Sequence, residues 1–184
     1  KERICSFNDD IQGTGSVVLS VLFSAMRLKK EKLSDQIFVV FGQGQAGIGI
    51  ARQIVAGLKA EGLTDRDAKK KIFAIDRHGL LVEGIPASAE QQFLLKDKAL
   101  VADWTLASQE RIELADVIKN IKATVLVGVT GQSGAFTRDI LQSMSDKVKQ
   151  PIIMPLSNPP SKAECTPEFA YKATNGNCLV ATGS

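Results

Sequence analysis

The run Ile37-Phe38-Val39-Val40-Phe41, followed at once by Gly42-Gln43-Gly44-Gln45-Ala46-Gly47, constrains the fold more than any other stretch of the chain. Consecutive β-branched and aromatic residues with no polar interruption predict a strand covered on both faces, as in a parallel sheet. From Gln45 to Glu61 the apolar side chains fall at Ile48, Ala51, Ile54, Val55 and Leu58, which is helical spacing, and Gly62 follows as a stop. The joint between strand and helix is therefore glycine-rich where a chain must turn sharply. Gly42 permits the tight turn, Gly44 allows a pyrophosphate to approach the backbone, and Gly47 allows helix and strand to pack closely. The free N–H groups of that helix start, at Gln45 and Ala46, would then face two phosphates. Taken alone, the six residues also suit a turn that binds nothing.

Alternation continues downstream. Thr64-x-x-Asp67 predicts an N-cap for a short extra helix ending in Lys69-Lys70-Lys71, and Ile72–Asp76 predicts a second strand closed by an acid. His78-Gly79 marks a turn. Glu83 to Asp103 has no clean period and reads as loop and short helix over the surface. A helix at Ile112–Ile121 leads to a third strand at Ala123–Val129, and an amphipathic segment at Gly134–Val148 leads to a fourth at Pro151–Pro155. Ser157–Pro160 reads as a loop, Lys162–Thr174 as a helix and Cys178–Ala181 as a last strand. Strands alternating with helices predict an α/β, Rossmann-like, doubly wound sheet, mostly parallel, with helices on both faces.

Composition narrows the function classes. With 184 residues, 44% of them hydrophobic, the chain suffices for one well-buried domain spanning 1–184. A net charge of +3 spread over scattered lysines argues against a nucleic-acid partner. Cys5, Cys165 and Cys178 are odd in number and widely spaced, which offers neither a disulfide framework nor a zinc site and makes a reducing, cytoplasmic setting the default. The apolar stretch Val17–Met26 is about half the ~20 residues a bilayer requires, so no membrane span is expected. The chain starts on Lys1 and stops at Ser184 just after an apolar run, which predicts a domain excised from a larger protein.

Four further features bear on chemistry. Asp76 ends the second strand where an acid would accept bonds from the adenosine ribose hydroxyls, favouring NAD, although Arg77 beside it could pair with the 2′-phosphate of NADP. Gly128–Gly134 and Ser157-Asn158-Pro159-Pro160 follow the third and fourth strands and would reach the same carboxyl edge. FNDDIQGTG, from Phe7 to Gly15, precedes an apolar helix. Its acids either cap that helix or hold a metal ion. His78 reads as a surface residue, and no cysteine has a histidine partner suggesting thiol catalysis.

These stretches, FNDDIQGTG, FGQGQAGIGIA, DRHGLL, GVTGQSGAFT, PLSNPPSKAEC and ATGS, occur in the order seen in malic enzymes. The chain resembles the NAD-binding domain of a bacterial NAD-dependent malic enzyme over essentially its whole length, with malolactic enzymes as close relatives. The resemblance implies that Asp10 ligates Mg2+ or Mn2+, that Asp9 belongs to the active-site network, and that Thr14 contacts the cofactor. It further implies cofactor contacts at Gly44, Gln45, Ala46 and Gly47, at Asp76, at Val129 and Thr130, and at Asn158, which also meets malate; Gly42 and Arg77 join these candidates from the turn and the strand end alone. Gln43, Gln45 and Pro160 depart from the residues usual at their positions in the family.

The activity implied by the resemblance is oxidative decarboxylation of (S)-malate to pyruvate and CO2 with reduction of NAD+. It also implies a homo-oligomeric parent enzyme, and it places the tyrosine acid, the lysine base and two more acidic metal ligands before residue 1. The fragment alone is expected to bind cofactor without turnover. Two alternatives stay open at this point: a malolactic reaction yielding lactate and CO2, and a nucleotide-binding module with no chemistry of its own.

Overall fold

A computed structural model describes residue 5, residues 7–108 and residues 110–183. Lys1 and Ser184, on which the expectation of an excised piece rests, lie outside them. The strand expected at 37–41 forms as β1 (Phe38–Phe41) and lies at the centre of the sheet. It pairs in parallel with β2 (Ile72–Asp76) on one side and with β4 (Val125–Gly128) on the other. Beyond β4 come β5 (Ile152–Pro155) and the short β6 (Leu179–Val180), both parallel. Beyond β2 lies β3 (Gly79–Leu80), an antiparallel edge formed by a two-residue hairpin at Arg77-His78. The order is β3-β2-β1-β4-β5-β6. Crossovers from β1 run one way and those after β4 the other, which puts the topological switch point between β1 and β4.

Among the described residues six α-helices cover the sheet: α1 (Thr14–Lys29), α2 (Gln45–Ala60), α3 (Asp65–Lys70), α4 (Leu114–Asn120), α5 (Arg138–Lys147) and α6 (Pro167–Ala173). The period-two alternation of the strands sorts their side chains between two cores. Phe38, Val40, Ala74, Val127 and Met154 join α1 and α2 on one face. Val39, Ile75, Leu126 and Ile153 join α4, α5 and α6 on the other. Thr64, Thr137 and Thr166 cap α3, α5 and α6 through their hydroxyls, so three helix starts are fixed locally.

Four expectations are corrected. The β3 hairpin edge was not foreseen, because two residues carry no period. The segment 83–103 is not wholly superficial: Gln91, Leu94, Lys96 and Val101 are buried against β2 and its neighbours. The last helix starts at Pro167 rather than Lys162, because a 3-10 turn at Pro160–Lys162 and a bent, non-helical link at Ala163–Cys165 intervene. The N-terminal helix is also longer than its apolar stretch suggests. A π-helical turn (Asp9–Gly13) runs directly into α1, and the resulting 21-residue helix contains an 18-residue window of mean hydropathy 1.3, long and apolar enough by those measures alone to cross a bilayer. Val18, Leu22, Ala25 and Met26 instead pack it along α2 as the outer layer of one face, while Val17 and Leu28 point outward.

Candidate functional site

The glycine turn has the shape its spacing predicts. Gly42 sits at φ +104°, and a Cβ there would meet the Val129 carbonyl. A Cβ on Gly47 would collide with the Gly42 carbonyl oxygen, so the first turn of α2 can lie on the strand end only with glycine there. Gly44 is different. It has ordinary backbone angles, and nothing lies within 4 Å of where its Cβ would be. It is the N-cap of α2 and contributes no side-chain cap; its carbonyl accepts the first helical bond from the Ile48 N–H at 3.0 Å. The N–H groups of Gln45, Ala46 and Gly47 precede any intrahelical acceptor, and beside them the Cβ position of Gly44 is unfilled. A backbone cradle with a helix N-terminus behind it fits a pyrophosphate.

Gln43 is buried and donates through Nε2 to the Val40 carbonyl at 2.9 Å, tying the turn to β1. Asp76 closes β2 half-buried. Its Oδ2 accepts from Gln91 Nε2 at 2.8 Å, and the same amide donates to the Gln43 carbonyl at 3.1 Å. Gln91 Oε1 in turn accepts from the Ser88 N–H at 2.9 Å, so one side chain links the acid, the glycine turn and the 83–103 segment. Arg77 is exposed and donates through Nε to His78 Nε2 at 3.2 Å. Asp76, Arg77 and Arg111 line a cavity of about 450 Å³ with Phe41 and Ile75.

A second cavity, of about 650 Å³, opens at the switch point on the face of the sheet that carries α1 and α2. Asp9, Asp10 and Thr14 line it from the start of the first helix; Ala46, Val129 and Thr130 line it from the ends of β1 and β4. Asn158 closes it from the loop after β5. That amide is exposed, donates to the Gly183 carbonyl at 3.4 Å and precedes a cis peptide to Pro159. The acidic turn reaches the cavity because two glycines let α1 and α2 touch. A Cβ on Gly15 would meet the Gly49 carbonyl, and one on Gly49 would strike the Ile11 carbonyl.

The capping alternative for FNDDIQGTG is answered by Asn8. Its Oδ1 accepts from the Ile11 N–H at 3.1 Å and starts the π turn, while Asp9 and Asp10 stay exposed at the cavity wall. Hard divalent cations such as Mg2+ take one or two protein carboxylates and keep several waters, so this pair fits as part of a ligand set. Among the described residues no group of three or more His, Cys, Asp or Glu side chains comes together as a complete metal site.

Sequence reasoning thus named residues on both cavities, with the turn of Gly42, Gly44, Gln45 and Gly47 beside them. It missed Gln91, Ser157 and Glu164. Gln91 lies in a segment without period and gave no signal. Glu164 gave a faint one, an acid between Ala163 and Cys165 where neighbours are small and apolar.

Comparison with known proteins gives consistent results. Residues 11–184 match the family described as malic enzyme, NAD binding domain. A curated relative, the NAD-dependent malic enzyme of Pseudomonas savastanoi pv. phaseolicola, is 46% identical over 185 residues, covering 100% of this chain and 33% of that protein. The solved structure of an NAD-dependent malic enzyme from Thermotoga maritima superposes with a TM-score of 0.69 at 26% identity, covering 97% of this chain and 41% of that one. The malic enzyme of Entamoeba histolytica gives the same TM-score and identity, with 33% of its chain covered. The chain spans about a third of the length of the curated relatives it matches.

Proposed function

Because this chain belongs to the malic enzyme family through its NAD-binding domain, we propose that it binds NAD along the carboxyl edge of its sheet and serves the oxidative decarboxylation of (S)-malate to pyruvate and CO2. The observation that carries this reading is a single cavity shared by two exposed carboxylates, Asp9 and Asp10, and by the loops that follow β1, β4 and β5. A plain hydride-transfer domain has no use for paired acids beside its cofactor loops. The name carried by the curated relatives favours malic over malolactic chemistry.

The α2 N-terminus and Gly44 would bind the pyrophosphate, and Asp76 would accept from the adenosine ribose hydroxyls. With Asp76 already oriented by Gln91, one carboxylate oxygen remains for the ribose, which supports NAD as cofactor; Arg77 leaves NADP as a second one. Val129, Thr130 and Asn158 would then wall the nicotinamide. Asp10 would give a carboxylate to Mg2+ or Mn2+, with Asp9 beside it, and Thr14 would hold the cofactor from the helix start. The chemistry supplied by bound NAD+ is acceptance of the hydride from C2 of malate. That supplied by the divalent ion is polarisation of the C2 oxygen, which eases loss of CO2.

The cavity presents no tyrosine, lysine or histidine among the described residues, so this chain by itself should bind cofactor without turning malate over. A homo-oligomeric parent enzyme and a cytoplasmic setting go with the proposal; the unpaired Cys165 and Cys178 suit the latter. Titrating the chain with NADH and with NAD+, Mg2+ and malate tests the reading. NADH binding without NADH production supports it. Absence of NADH binding, or malate-dependent NADH production at an appreciable rate, overturns it.

A further inference from the structure

Glu164 lies in the bent, non-helical link before α6 with none of its surface exposed. Its Oε1 accepts three hydrogen bonds, from the Thr130 N–H (2.8 Å), the Thr130 hydroxyl (2.8 Å) and the Ser157 hydroxyl (2.6 Å). Its Oε2 accepts from the Ser157 N–H at 3.4 Å. Every one of these partners is neutral. A carboxylate withdrawn from water is costly unless donors replace its hydration, and here backbone and hydroxyl donors do so. The neighbouring Cys165 thiol is pushed up to about 12, first by burial and then by the negative charge of Glu164.

The donors come from two different loops. Thr130 follows β4 and Ser157 follows β5, and each hydroxyl passes the constraint onward. Ser157 Oγ accepts from the Gly131 N–H at 2.8 Å, and Thr130 Oγ1 accepts from the Gln132 N–H at 3.0 Å. The Glu164 carbonyl accepts from the Phe136 N–H at 3.0 Å, so the main chain repeats the tie. β4 itself makes room: a Cβ on Gly128 would run into the Glu164 side chain. Thr130, Gly131, Ser157 and Asn158 all face the 650 Å³ cavity, whereas Glu164 stands behind them.

We propose that Glu164 is a positioning residue for the nicotinamide half of the cofactor, fixing the loops after β4 and β5 as one wall at that end of the crevice. The proposal rests on the NAD-binding reading. With the pyrophosphate at Gly44 and the adenosine ribose at Asp76, the rest of an NAD molecule must extend past β4 toward β5. A wall fixed before binding spares the ligand the cost of ordering two loops.

Equilibrium binding of NADH and of ADP-ribose, which lacks only the nicotinamide, separates this role from a general scaffold role. In the full chain, Glu164→Gln keeps the volume but sets an amide N–H2 against a hydroxyl or N–H donor. It should weaken NADH about 10-fold and ADP-ribose less than about 2-fold, with cooperative thermal unfolding retained. Ser157→Ala, which removes one hydroxyl from the network, should give the same selective loss at about 3-fold, and it carries the test if the Gln variant does not fold. Equal weakening of both ligands, or no weakening of either, overturns the proposal. A wild-type chain that binds neither ligand overturns the cofactor reading itself, and the proposal with it.

Discussion

At the β2 end of the crevice the binding surface is mostly backbone: an uncapped helix start, an open glycine and one carboxylate at a strand end. At the β5 end it is mostly side chains, with the exposed Asp9 and Asp10 on one wall and, behind the other, a buried Glu164 that accepts from both loops. The first end is specified by residues close together in sequence. The second is specified by contacts across long separations, Glu164 to Thr130 being 34 residues apart. On the proposed reading, the adenosine end would be a complete site within this chain, and the acidic end would supply only part of a metal site.

Two glycines in the same turn break that comparison most sharply. Gly47→Ala places a Cβ on the Gly42 carbonyl, a backbone atom that cannot move without displacing β1, and should cost about 3 kcal/mol or more of stability. Gly44→Ala meets nothing in the free protein, so its stability should change by less than about 0.5 kcal/mol. The added methyl would occupy the phosphate cradle, however, and NADH affinity should fall roughly 30-fold, or about 2 kcal/mol. Denaturant unfolding and NADH titration on the two variants check both statements. Unchanged NADH binding in Gly44→Ala would show that the cradle is not the phosphate site.

That contrast also explains what was legible. β1, the glycine turn, α2, β2 and Asp76 were readable because each is set by local pattern: an apolar run, a helical period, a turn that only glycine fits. Asn158 and Thr130 could be placed at the same edge because every strand of a doubly wound sheet delivers its following loop there. Gln91 was not legible, since what it does depends on Asp76 and the Gln43 carbonyl, and its own segment has no period. The start of α6 was misplaced for a related reason. A helix from Lys162 would have turned Glu164 through the helical period, but the chain stays non-helical and bends there, and the carboxylate reaches two loops. The acids of FNDDIQGTG could be weighed between cap and ligand only once Asn8 was seen to do the capping.

Asp76 and Gln91 sharpen the comparison within the adenosine end. Hydrogen bonds to a charged group contribute about 1.5–3 kcal/mol, so Asp76→Ala should weaken NAD binding roughly 10- to 100-fold and reduce or reverse the preference over NADP. Gln91→Leu keeps the carboxylate but removes its tether, and a loss of about 3-fold is expected, because only its orientation is freed. Titrations of NAD+ and NADP+ against both variants read this out. An Asp76→Ala protein that retains full discrimination would move the ribose site elsewhere.

The smallest expected effect concerns how the adenosine end is anchored. Lys96 belongs to the segment that carries Gln91, and it is buried, with Nζ donating to the Lys69 and Lys70 carbonyls at the end of α3 and lying 4.5 Å from the centre of the Phe73 ring. Burial holds its ammonium down to about 7, well below the ordinary lysine value, despite those favourable partners. The sign comes from proton counting. Between about pH 7 and the lysine's unfolded value near 10.4, the unfolded chain holds a proton that the folded chain has released, so stability rises with pH across that window. About 1 kcal/mol should be gained between pH 7 and pH 8, and Lys96→Met, which keeps the apolar stem against Phe73, should flatten that slope. Chemical denaturation of wild type and Lys96→Met at the two pH values tests the assignment. An identical slope in both proteins would mean that Lys96 stays charged in the fold, its two carbonyls and the Phe73 face outweighing its burial.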